Sequence, residues 1–365
     1  MGVKELPMAN IDSLEEIEKI DQDGFLKCLQ EFPDQCERAW NDWKQIPLPA
    51  RFIQAKNILI TGMGGSNMGG ALVSSLAADI NIPVVIWRDY GVPGWVNKDT
   101  LVIAISYSGN TEETLDSFEK ATKKTDKLIT IASGGQLDVL SRKYKTTHYK
   151  INYYGQPRSS FGFLFTSAVA IFSQLKLIEV TEEDFKEAVV LFRGLQKKID
   201  ANVPTPNNNA KLLAKKLVDK IPVVYGSGPL MLMARRWCNE LGENAKVASF
   251  YQEIPEMNHN TLNGVEFPKI LGQKLYVIIL QSQFDHPRNR IRQNVSAQVL
   301  DRNRIPNELL MIVPAPTPLA EIMQFTIMGA YVSYYLGILY NSDPSMIKVV
   351  DYLKEKLAEK PMDEA

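Results

Sequence analysis

Ser106, Ser108, Gly109 and Thr111 stand between an apolar run, Leu101 to Ile105, and an acidic pair, Glu112-Glu113. Hydroxyls and a glycine at that junction suit the binding of an anion. The apolar run reads as a buried parallel strand. The acidic pair opens an amphipathic helix, whose positive end favours negative charge. Free backbone N–H groups at such a helix start point at the anion, the hydroxyls donate further hydrogen bonds, and glycine admits close approach. The loop carries no lysine, so it lacks the Gly-Lys-Ser/Thr of a nucleotide P-loop. It suits one phosphate monoester, such as that of a sugar phosphate. The plainer alternative is a serine-rich turn that caps a helix.

A second turn has a related composition. Ile58 to Thr61 is another buried-strand run, followed by Gly62-Met63-Gly64-Gly65-Ser66-Asn67-Met68-Gly69-Gly70 and the apolar stretch Ala71 to Ala78. Loosely this is Gly-x-Gly-x-x-Gly, a weak dinucleotide signal. The acidic ribose partner expected about 20 residues further on is not convincing. Asp79 ends the same helix, and Asp89 follows the next strand behind Arg88. Two such loops, one per βα unit, fit better as two walls of one small-ligand crevice.

The elements that must hold these turns alternate. Strands are predicted at 57–61, 83–87, 101–105, 127–132 and 147–151, with helices at 67–79, 111–124 and 136–143. That alternation implies a parallel sheet with helices on both faces. Residues 11–45 read as helices, with Trp40 and Trp43 facing that sheet. Residues 160–200 read as helical, and 202–209, with Pro204 and Pro206, as a linker or surface loop. The pattern restarts at Pro222-Val-Val-Tyr-Gly-Ser-Gly. Strands follow at 247–250, 273–280 and 308–312, with helices at 229–243, 286–303, 317–340 and 344–359. The chain thus reads as an internally duplicated α/β protein. A helical segment covers 1–56, a first domain 57–200 and a second 210–365. Ligands of open parallel sheets bind outside the carboxyl ends of the strands, so both Gly/Ser turns are expected in one interdomain cleft.

With 365 residues the chain has room for two domains. A composition 45% hydrophobic and 23% charged is that of an ordinary globular protein. A net charge of −1 leaves no basic footprint for nucleic acid or a membrane surface. Cys28, Cys36 and Cys238 form neither a metal-spaced nor a redox pair. The first residues lack the apolar core of a signal peptide, and Gln324–Tyr340, the nearest approach to a membrane span, is too short and too rich in Tyr and Ser. A cytoplasmic location is expected.

Together, Gly-Met-Gly-Gly-Ser at 62–66 and Ser-Tyr-Ser-Gly-Asn-Thr-Glu-Glu-Thr at 106–114 resemble the two most telling motifs of the SIS (sugar isomerase) domain family. The chain is most similar to one branch, the bifunctional phosphoglucose/phosphomannose isomerases. Pro157-Arg158, Arg236-Trp237, Glu243-Asn244-Ala245-Lys246 and Pro255-Glu256-Met257-Asn258-His259-Asn260 match that branch. The resemblance spans nearly the whole chain. It implies two flavodoxin-like SIS domains and a metal-independent, cofactor-free isomerase acting on glucose, mannose and fructose 6-phosphates.

Such a reaction needs ring opening, a base that moves a proton between C2 and C1, and a group that stabilises the enediolate. The resemblance assigns Glu243 as the base, with Glu240 its nearest competitor, and His259 to ring opening. It also implies that His259 is donated from the neighbouring subunit of a homodimer. Arg158 is assigned to the enediolate, and Ser106, Ser108 and Thr111 to the phosphate. Gly64, Gly65 and Ser66 are assigned to the sugar, and Lys354 resembles a late lysine that assists ring opening. His148 and His286 have no such match and read as structural or surface residues. One departure is Asp343-Pro344-Ser345, where the family often has Asp-Pro-Thr; it bears on epimer preference. The rival function is a phosphosugar sensor that binds without turnover. Such a protein would usually carry an appended DNA-binding helix-turn-helix, and nothing basic of that kind is read before residue 57. An aminosugar synthase would need an amidotransferase domain, which is not read here either.

Overall fold

The apolar runs resolve into two parallel sheets in the computed structural model, which describes residues 8–77 and 80–359. Three helices precede the first sheet: α1 (Leu14–Ile20), α2 (Phe25–Gln30) and α3 (Phe32–Lys44). The first sheet is made of β1 (Asn57–Thr61), β2 (Val84–Trp87), β3 (Thr100–Ile105), β4 (Leu128–Ala132) and β5 (Thr147–Lys150). Its order is β2-β1-β3-β4-β5, with Ile58 facing Leu101 and Val102 facing Leu128 in register. That is the flavodoxin-like order, whose crevice falls where the chain reverses direction between β1 and β3. Between these strands run α4 (Gly64–Leu76), α5 (Glu112–Thr122) and α6 (Gly135–Lys143).

Next come α7 (Phe161–Gln174), α8 (Glu182–Ile199) and α9 (Asn209–Lys216). The second sheet has the order β7-β6-β8-β9, from β6 (Ile221–Gly226), β7 (Phe250–Glu253), β8 (Leu275–Leu280) and β9 (Asn307–Leu310). It repeats the first sheet less one strand among the described residues. Its helices are α10 (Met231–Asn244), the short α11 (Leu271–Lys274), α12 (Pro287–Arg302), α13 (Pro318–Leu339) and α14 (Lys348–Ala358).

Several expectations are corrected. The helix after β1 starts at Gly64, three residues early, because the glycines form its first turn; Ala78 and Asp79, assigned to its far end, lie outside the described residues. The stretch 160–200 is two helices, broken after Gln174 and restarted by a Thr181–Asp184 capping box. The strand placed at 247–250 is β7 at Phe250–Glu253, and the last helix starts at Lys348, not 344. Residues 202–209 are no linker. The Thr205 backbone N–H donates to Asp12 Oδ1 (2.9 Å), and buried Asn208 caps α9 by accepting from the Lys211 N–H (3.0 Å). Trp43 does pack beside β5, against Tyr149, but Trp40 stacks on Phe185 of α8, ring centroids 4.3 Å apart. His148 hydrogen-bonds Thr130 within the first sheet and His286 caps α12, structural roles for both.

The core runs through both halves. α13 has the length and apolar composition of a membrane-crossing helix, yet it is wholly buried inside the chain. Three of its tyrosines reach the first half. Tyr334 donates to Asp21 Oδ2 (2.9 Å), Tyr335 to the Ile199 carbonyl (2.7 Å) and Tyr331 to Asp200 Oδ1 (2.9 Å).

Candidate active site

The loop after β3 brings Ser106 and Thr111 together at the start of α5. Ser106 is fully buried and shares a hydrogen bond with Thr111, Oγ to Oγ1, at 2.9 Å. Thr111 is the residue before α5, and Glu112 and Glu113 open that helix, so its first-turn N–H groups face outward beside the hydroxyls. Ser108 is exposed and its Oγ accepts from the Asn110 N–H (3.2 Å). Gly109 adopts a left-handed φ of 70°, and a Cβ there would collide with the carbonyl of Gly134. Only glycine fits.

The two glycine-bearing turns of the first domain meet. Ser66, in the first turn of α4, accepts the Tyr107 backbone N–H on Oγ at 3.0 Å. Gly65 lies where a Cβ would touch Pro157 and Arg158 backbone atoms at 3.4 Å, so its lack of a side chain lets the Arg158 loop approach. Gly64 faces a cavity of about 1030 Å³. The rest of that cavity belongs to the second half, including Gly242, Glu243 and Lys246 at the end of α10, Asp343, and the start of α14. The corresponding Gly/Ser turn of the second domain, expected in the same cleft, does not line it. Ser227 is buried and accepts from Gln293 Nε2 (2.9 Å), and Asp285 fills the space beside Gly228.

Arg158 ties the halves together. Its side chain is 4% exposed; Nε donates to Asn244 Oδ1 (2.9 Å), Nη1 to Glu243 Oε2 (3.3 Å) and Nη2 to the carbonyls of Pro344 (2.7 Å) and Ser345 (3.0 Å). Burial lowers its pKa, opposed first by the charge of Glu243, and a guanidinium stays protonated regardless. Glu243 lies inside α10, which continues through Gly242 to Asn244. Glu240, one turn earlier, points away from the cavity. It is buried against Arg236 (2.6 Å), which stacks 3.4 Å from the Phe161 ring centroid, and burial pushes its carboxyl up to about 7. The Cys238 thiol on the cavity wall is pushed by burial to about 11, too high for a thiolate nucleophile.

Of the anticipated site residues only Gly64 and Glu243 line this cavity, with Arg158 bonded to Glu243; Gly65, Ser66, Ser106, Ser108, Thr111, His259 and Lys354 do not. His259 is exposed at the end of a short 3₁₀ helix, Glu256–His259, and does not line it. Lys354 projects from α14, 67% exposed and 4.0 Å from Asp351, although the first turn of that helix forms cavity wall. Asn244 went unrecognised as a positioning residue. It holds Arg158 through Oδ1 and donates through Nδ2 to Ser333 Oγ (3.0 Å). Among the described residues no cluster of three or more His, Cys, Asp or Glu side chains is placed to hold a metal.

A repeated flavodoxin-like parallel sheet, with a cavity lined from both halves, defines a two-domain SIS protein. Residues 51–168 match the SIS domain, and residues 206–357 match the bacterial phospho-glucose isomerase C-terminal SIS domain. A bifunctional phosphoglucose/phosphomannose isomerase of Caldicellulosiruptor bescii is 36% identical, over 92% of this chain and 99% of its own. One of Aquifex aeolicus is 30% identical, over 83% and 90%. The chain belongs to the bifunctional phosphoglucose/phosphomannose isomerase family. The fold is shared with tagatose-6-phosphate ketose/aldose isomerase of Escherichia coli, with a TM-score of 0.65 at 15% identity, over 94% of this chain and 98% of that one.

Proposed function

We propose that the chain interconverts glucose 6-phosphate and mannose 6-phosphate with fructose 6-phosphate, without metal or cofactor, in the cytoplasm. The observation that carries this reading is Glu243 on the cavity wall, held by buried Arg158 in the half that also carries the phosphate cradle. The domain limits that go with it are 57–200 and 210–365, preceded by the helical segment. In this mechanism Ser106, Ser108 and Thr111 anchor the phosphate, and Gly64, Gly65 and Ser66 border the sugar. His259, with Lys354, moves the proton that opens the ring. Glu243 takes the C2 proton and returns it to C1, while the Arg158 charge stabilises the enediolate.

The test is fructose 6-phosphate with purified protein, the products read by NMR. Appearance of both aldoses supports the reading. Tight phosphosugar binding without product would replace it with the sensing alternative. Turnover is expected to survive EDTA; loss restored by zinc would point to another isomerase class. Ser108→Ala and Thr111→Ala are expected to raise KM more than they lower kcat, because phosphate holding is shared by ground and transition states. Steady-state kinetics on each variant check this.

We also infer a homodimer in which His259 serves the neighbouring site. Its exposure, away from its own chain's cavity, supports this, as does the uncovered apolar face of α14: Val349, Leu353 and Leu357 are 83%, 56% and 54% exposed. Mixed Glu243→Gln and His259→Ala subunits should then regain activity, since each mixed dimer holds one site with both groups intact. Verified subunit exchange without recovery would return His259 to its own chain.

A further inference from the structure

Lys246 closes the Glu243-Asn244-Ala245-Lys246 segment, and the structure gives it neighbours beyond that segment. It follows the C-cap of α10 with a left-handed φ of 57°, which turns the side chain back over the helix end. Nζ there donates to the Asn244 carbonyl (3.2 Å) and to the Asp343 carbonyl. A cation is favoured at that negative helix end. Lys246 opens onto the same cavity as Glu243, between the loop that carries Asp343 and the guanidinium of Arg158.

Arg158 cannot move a proton, because it stays charged and each of its nitrogens is bonded to protein. Lys246 can. Surrounding protein, and then the charge of Arg158, push its ammonium down to about 8; Asp343 and Glu243 oppose that shift. Arg235 and Lys348 are the other cations on the cavity wall. A lysine near that value gives and takes a proton at working pH.

Converting an aldose to a ketose moves one proton between carbons and a second between oxygens. Glu243 accounts for the first and leaves the second unassigned. We propose that Lys246 carries the hydroxyl proton between O2 and O1 of the open-chain sugar phosphate, a step that rests on the isomerase reading above. As the C2–H bond breaks to Glu243, its electron pair forms the C1=C2 bond and the C1=O1 π pair moves onto O1, giving the enediolate, whose O1 then takes a proton from the Lys246 ammonium. In the second half the neutral amine accepts the O2 proton, C2=O2 forms, and the C1=C2 pair takes the proton back from Glu243. Both groups end as they began.

Lys246→Arg keeps the charge and the donors to both carbonyls but does not release a proton. With wild type assayed beside it, kcat is expected to fall by roughly 10²-fold or more, with KM within a few-fold and the unfolding midpoint unchanged. The decline of wild-type kcat above about pH 8 should vanish from the residual activity. Deuterium started at C2 should be lost to solvent in a larger fraction, because a stalled enediolate lives longer. Lys246→Gln should behave alike. A variant with wild-type kcat and an unmoved alkaline limb would overturn the proton carrier while leaving the isomerase intact. A wild type without turnover would overturn both.

Discussion

Glu243→Gln is expected to lower isomerisation by roughly 10²–10⁴, the usual worth of a positioned general base, while leaving substrate affinity nearly unchanged. Glutamine keeps the shape and an acceptor oxygen toward Arg158 Nη1, so the contact at 3.3 Å persists as a weaker bond. Because the Glu243 side chain is 36% exposed, the lost charge should cost about 1 kcal/mol or less in stability. The discriminating readout is therefore a fall in kcat with fructose 6-phosphate binding preserved, measured by calorimetry on the same preparation. Activity within tenfold of wild type would move the base elsewhere. Glu240 is the poorer successor, since it is buried against Arg236 and off the cavity wall.

Arg158→Leu is expected to damage both fold and chemistry. The substitution leaves Asn244 Oδ1, Glu243 and the Pro344 carbonyl without their donor, while the Ser345 carbonyl keeps Gln156 Nε2 (2.8 Å). Leaving a buried acceptor without its donor costs about 1–3 kcal/mol. The unfolding midpoint should drop by several degrees, and kcat by roughly 10²-fold from lost charge stabilisation. Arg158→Lys tells the two losses apart. It restores the charge but not the planar fork, so it should recover more activity than stability. An unchanged midpoint in Arg158→Leu would show that the α13 tyrosine contacts hold the halves together without it.

The sequence made the parallel strands legible because a strand covered by helices on both faces is a continuous apolar run, as Leu101 to Ile105 is. β7 was placed three residues early because it is a sheet edge, with Phe250 and Tyr251 exposed and no apolar run to mark it. Pro204, Pro206 and the asparagines around them signalled a loop. Their real work depends on Asp12, nearly two hundred residues away, which local composition cannot show. The hydroxyl loop after β3 was readable because its serines, its glycine and the helix it opens are neighbours in sequence. Arg158, Asn244, Lys246 and Asp343 meet only through folding, so no local pattern distinguishes Asn244 or Lys246 from an ordinary helix end.

The buried α13 also bears on how the protein is made. The first sheet and its flanking helices emerge first from the ribosome, yet Asp21, Ile199 and Asp200 obtain their tyrosine partners only from residues 331–335. Domains fold in order of synthesis when each closes its own core. Here the surface that α13 covers stays open to water while more than a hundred further residues are added. The nascent first half therefore stays incomplete during translation, and truncation ahead of Pro318 would leave it in that state. The half that is made first is finished last.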